Sequence, residues 1–146
     1  MASLSPLMEE ILAQGNSVEI TVTGISMRPL FEHKVSRVRL APMKELKRGD
    51  VPLYRRDNGA FVLHRVISLE GETFTCCGDN QWHPEPNLRP DQVLAVMTDF
   101  SRRGEGWTSC QSPLYGLYWR FWVRVRPLRR LVFGGLRRVR RAFKRK

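Results

Sequence analysis

The sequence predicts a mainly β fold: a curved, partly closed β-ribbon or barrel, with a short N-terminal helix before it and a helical, basic C-terminal tail after it. Three observations carry this. Apolar and polar residues alternate in several short runs, Asn-Gly and Gly turns separate those runs, and no helical period occurs between Val18 and Phe100.

Along the chain, Leu7, Met8, Ile11 and Leu12 share one face of a helix that Gly15-Asn16 ends. In "VEITVTG", Val18, Ile20 and Val22 alternate with Glu19, Thr21 and Thr23, and "SRVRLAP" repeats the pattern with Val38 and Leu40 against Arg37 and Arg39. The stretch from Asp50 to Asn80 reads as two hairpins, turning at Arg56–Gly59 ("RDNG") and Leu69–Glu72 ("LEGE"). "DQVLAVMTDF" adds a strand. The domain organisation expected is a helix over 1–17, a β domain over 18–106 and a basic aromatic arm over 107–146.

The 146 residues make one ordinary domain, and 42% hydrophobic residues suffice for a core, which excludes a disordered chain. The net charge of +11 is unevenly placed: residues up to Leu114 hold 13 Lys and Arg against all 14 Asp and Glu, whereas Tyr115 to Lys146 holds 12 Lys and Arg and no acid. The first 17 residues have two glutamates and no apolar run of spanning length, so an uncleaved chain facing the cytoplasm is expected. Three cysteines, with Cys76 and Cys77 adjacent, point to a reducing compartment. No C-x-x-C pair occurs, and His33, His64 and His83 lack the spacing of structural zinc ligands; neither a metal nor a cofactor is expected.

One serine stands out. Ser26, in "TVTGISMRPL", follows the first strand in a turn that Gly24 permits and Pro29 stiffens, which puts a hydroxyl at the end of a rigid element. A plain turn serine fits the same place, so a nucleophilic role requires a base elsewhere in the chain. His64 in "FVLHRVI" is the candidate. Alternation puts it on one side with Val62 and Val66, opposite Leu63, Arg65 and Ile67. Partial burial would hold its pKa at or below neutrality and keep the imidazole free to accept a proton, although a core histidine has the same surroundings. Asp79, in "CCGDN", or the later Glu85 could orient that imidazole; Asp79 also suits a purely structural loop role, and spacing does not choose between them.

In order, "GISMRP", "LKRGDVPLY", "VLHRV" and "GDNQ" resemble the motifs of the signal peptidase I and LexA-like serine peptidase superfamily, over about Val18 to Phe100. The resemblance implies a β-rich peptidase fold with Ser26 as nucleophile and Gly49-Asp50 as a structural turn. His64 falls where bacterial-type members carry a lysine and endoplasmic-reticulum-type signal peptidases carry a histidine. Asp79 matches the Gly-Asp-Asn box, and Glu85 stands six residues beyond it, at the place of the third catalytic acid of the endoplasmic-reticulum type. The chain departs from the pattern at Gly24, where many bacterial members have a hydroxyl that helps bind the oxyanion; the backbone N–H of Ser26 would then do most of that work. From this sequence neither the amino-terminal membrane anchor of signal peptidases nor the DNA-binding domain of the repressors is expected.

In the tail, Leu114, Leu117, Tyr118, Phe121, Trp122 and Val125 fall on one helical stripe, and a similar pattern resumes after Pro127. Arginines every few residues forbid a conventional span. The pattern suits an interfacial helix on an anionic membrane, with basic residues adding about 1 kcal/mol each near the surface; packing on the β body and nucleic-acid binding are the alternatives. The expected protein is a cytoplasmic serine endopeptidase, peripheral on the inner face of a membrane through residues 115–146 and acting on a protein or peptide substrate. The rival is a noncatalytic β module tethered to membrane or nucleic acid by its tail.

Overall fold

A computed structural model describes residues 6–144 and, within them, all side chains except those at 130, 133, 134, 136 and 137. The ends of the expected 1–17 and 107–146 segments, residues 1–5 and 145–146, lie outside the described residues.

The helix α1 (Pro6–Ala13) lays Leu12 into the core, with Met8 and Ile11 packed beside it. Its end is a Schellman arrangement: Gly15, at φ 86°, donates to Leu12 O, and the N–H of Asn16 reaches back to Ile11 O. The β strands then form two antiparallel sheets. The larger contains β1 (Val18–Thr21), β2 (Arg37–Ala41), β3 (Pro52–Arg55), β4 (Phe61–Leu63), β8 (Val93–Ser101) and β9 (Thr108–Ser109), in the order β1-β2-β8-β3-β4 with β9 also on β8. The smaller has the order β5-β6-β7, from β5 (Arg65–Glu70), β6 (Thr73–Cys77) and β7 (Glu85–Leu88).

The larger sheet is curled into a half-barrel, as the sequence predicts. Register shifts lie on both flanks of its central strand β8, at Arg39/Leu40 in β2 and Leu53/Tyr54 in β3, and such bulges bend and twist a sheet. The strand β3 is buried on both faces and joins two cores. Leu53 packs with Val38, Leu40, Ala95 and Met97, while Tyr54 packs with Val62, Val66, Phe74 and Cys76. His64 is the single residue between β4 and β5, where the chain leaves one sheet for the other.

The basic arm divides in two. In α2 (Pro113–Arg124), Tyr115, Gly116 and Val123 are buried, and Tyr118 and Trp119 pack against the main core. The single apolar stripe expected of this helix is thus split: Tyr118 and Trp122 turn inward, and Leu114, Leu117 and Phe121 are exposed. Gly49 shows how close the packing is. A Cβ there would lie 2.5 Å from Trp119 Cε2, and its φ of 95° is itself unfavourable for other residues. The second helix, α3 (Arg126–Phe143), carries Pro127 in its first turn, where its missing N–H costs nothing, and exposes Leu128, Leu131, Val132, Val139 and Phe143.

Candidate active site

Ser26 sits in the turn after β1, and its neighbours fix the turn so that the serine need not. Met27, Leu30 and Phe31 are buried in the core beneath it. Arg102 donates to the carbonyls of Pro29 and Leu30, and the Gly24 N–H donates to His33 Nδ1 at 2.6 Å. On the other side, Asn80 N–H donates to Ser26 O at 2.8 Å. Gly78 lies so near that a Cβ there would come 2.6 Å from Ser26 O. Among the described residues, no hydrogen bond uses Ser26 Oγ or its N–H, so neither is consumed by the turn.

Ser26 and His64 line one cavity of about 530 Å³. Ile20, Val22, Leu53, Phe61 and Leu63 form its apolar wall, and Arg56, Asn80 and Gln81 supply polar groups at its border. Arg56, Asn80 and Gln81 also border a second cavity, lined by Trp82, His83 and Pro86, which extends the cleft away from β1. A larger cleft of about 750 Å³, between residues 41–51 and α2, contains neither Ser26 nor His64. No hydrogen bond joins Ser26 Oγ to His64 among the described residues; such contacts often close only when substrate is bound.

His64 is 4% exposed, and burial, assisted by the nearby Arg56 charge, lowers its pKa to about 4. The imidazole is therefore neutral at pH 7, in agreement with the value at or below neutrality expected of a partly buried base. Its Nδ1 faces Tyr54 Oη at 3.4 Å. Tyr54 Oη in turn donates to Glu85 Oε2 at 2.8 Å, and Arg56 grips the same carboxylate through Nε and a terminal nitrogen. Burial alone would raise the Glu85 carboxyl, but the hydrogen bonds from Arg56 and Tyr54 outweigh it and hold the pKa below the usual range. Burial raises the Tyr54 phenol far above its ordinary value, so it remains a proton donor.

The two acids that sequence reasoning left open are separated by the fold. Asp79 is turned to Arg65, the residue after His64, and not to the imidazole: Arg65 Nε and a terminal nitrogen meet Oδ1 and Oδ2 at 2.8 and 2.9 Å. Burial alone would lower the Arg65 pKa, but the Asp79 carboxylate overrides it and raises the value. Arg65 also donates to Gly49 O and Tyr115 Oη, while Tyr118 Oη donates to Asp79 Oδ2 and Trp122 Nε1 to Asp79 O. The carbonyl of Asp79 also accepts from Arg129. Asp79 therefore ties the loop behind Ser26 to the C-terminal helices, and among the described residues no hydrogen bond joins it to His64. Among the described residues, the hydrogen-bond link from Glu85 to His64 runs through Tyr54, a residue that sequence reasoning missed. Its signal was a tyrosine facing inward from the strand that follows Gly49-Asp50, which by itself reads as core.

Among the described residues no three His, Cys, Asp or Glu side chains gather to hold a metal ion, and no helix is long and apolar enough to cross a membrane. No family model matches the chain, and no curated protein or solved structure matches it either.

Proposed function

We propose that this chain is a serine endopeptidase of the signal peptidase and LexA-like type. Ser26 Oγ attacks a peptide carbonyl, His64 takes its proton and returns it to the leaving amine, the Ser26 N–H donates to the oxyanion, and water releases the acyl-enzyme. The observation that carries this reading is the convergence on one cavity of a serine hydroxyl free of turn hydrogen bonds and a neutral, buried histidine. The apolar wall of that cavity suits an apolar substrate side chain near the scissile bond. A fluorophosphonate probe tests the proposal. Labelling should map to Ser26, vanish in Ser26→Ala and fall strongly in His64→Ala; absence of both labelling and peptide hydrolysis in the parent would leave the noncatalytic module.

We further propose that the enzyme works at an anionic membrane surface on the cytoplasmic side. Leu114, Leu117 and Phe121 of α2 and Leu128, Leu131 and Val132 of α3 are exposed apolar residues at helical spacing, among exposed arginines such as Arg120, Arg124, Arg138 and Arg141. That combination suits insertion at the headgroup boundary better than nucleic-acid binding, for which exposed aliphatic side chains have no use.

A further inference from the structure

We propose that Tyr54 is a positioning residue that fixes the tautomer of His64, holding the ring proton on Nδ1 and leaving Nε2 bare as the basic nitrogen. The inference rests on the peptidase reading for its catalytic meaning, but the geometry stands by itself.

The argument is a count of protons. Glu85 is ionised and can only accept hydrogen bonds, and Arg56 can only donate them. The single hydroxyl proton of Tyr54 is therefore committed to Glu85 Oε2, 2.8 Å away, because that contact is the shorter and the acceptor is charged. What Tyr54 offers His64 across 3.4 Å is a lone pair, and only an N–H can use it. Nδ1 then carries the proton. A neutral imidazole has one, so Nε2 has none.

The chain of contacts is rigid at each link. Tyr54 is fully buried in β3, paired in register with Val62, two residues before His64. Glu85 opens β7 opposite Cys76, and Arg56 starts the β3–β4 turn, so two hairpins, β3–β4 and β6–β7, meet at the Glu85 carboxylate beside the ring. The titratable groups facing Tyr54 and His64 from these elements are Arg56, Glu85, Cys76 and, farther off, Asp79. The carboxylate–histidine pair of a serine triad has here a phenol placed between its members. The phenol transmits the orientation without putting a charge against the ring, which is compatible with an imidazole that stays neutral in so buried a place.

The test uses the full chain labelled with ¹⁵N-histidine and needs no substrate. At pH 7 the His64 ring should show Nδ1 protonated and Nε2 unprotonated, and Tyr54→Phe should move it toward the Nε2–H form. With substrate, Tyr54→Phe should lower kcat by roughly 10- to 100-fold and change KM little, the pattern of a misoriented base. Glu85→Ala leaves the phenol in place and removes the acceptor of its proton, which can then turn toward Nδ1, so it should shift the tautomer in the same direction. An Nε2–H ring in the parent would overturn the inference, as would an unchanged ring in both variants. A parent with the Nδ1–H ring but no peptidase activity would instead overturn the function proposed above.

Discussion

The guanidinium of Arg65 and the carboxylate of Asp79 form a two-pronged ion pair with side chains 1% and 2% exposed, between the Ser26 turn and the C-terminal helices. Removing one member leaves a buried charge without its partner. Asp79→Ala should therefore destabilise the fold by about 3–5 kcal/mol in urea unfolding. A variant that unfolds at the parent's midpoint yet has lost hydrolysis would show that Asp79 serves the chemistry instead.

Ser26 and His64 should act as one unit. Each alanine substitution alone should remove most hydrolysis, and the double variant should be hardly worse than either single one, because a nucleophile without its base and a base without its nucleophile fail in the same step. Multiplying losses in the double variant would indicate independent roles.

The pH dependence follows from His64. Protonation removes its ability to accept from Ser26, so kcat/KM should fall as pH drops through about 4 and be level well before neutrality, a limb lower than the ordinary histidine value near 6.5. Stability moves with it. Between about pH 6.5 and 4 the unfolded chain binds a proton at His64 that the folded chain does not, so stability decreases as pH falls through this window, by up to about 3 kcal/mol. Comparing urea midpoints of the parent and His64→Gln across pH 4–7 isolates the contribution; parallel curves would contradict the depressed pKa.

Deleting residues 126–146 should leave the fold largely intact, since the described hydrophobic-core contacts of the arm are made by α2; the loss includes the Arg129 bond to Asp79 O. It should weaken flotation with anionic vesicles strongly without removing the exposed apolar residues of α2. Deleting from Pro113 should destabilise the body strongly, because Tyr115 is in the core and bonds the buried Arg65. Vesicle binding by the full chain should weaken but persist at high salt, and Phe121→Ser with Leu131→Ser should remove much of what persists. Binding to DNA that falls steeply with salt, with no flotation at low salt, would favour nucleic acid as the partner.

Much of this was legible in the sequence, because it depends on local rules. Period-two alternation marked β1 and β2, "DQVLAVMTDF" read as the strand β8, turn chemistry marked both hairpins, and Gly15-Asn16 marked the end of α1. That Ser26 and His64 line one cavity could be suspected from a rigid turn and a histidine on one face with two valines. The tertiary structure decided what depends on partners distant in the chain. The strand β7 (Glu85–Leu88), with its Pro-Asn centre, has no clear strand pattern and exists by pairing with β6. The inward face of α2 was hidden because an aromatic stripe looks the same whether lipid or protein covers it; Gly49, 70 residues earlier, provides the space for Trp119. Asp79 and Glu85 were equivalent by spacing. Alternation already set Arg65 opposite His64; only the tertiary structure, which brings Asp79 to Arg65 and Glu85 to Tyr54, gave one carboxylate to a buried ion pair and the other to the tyrosine beside the imidazole.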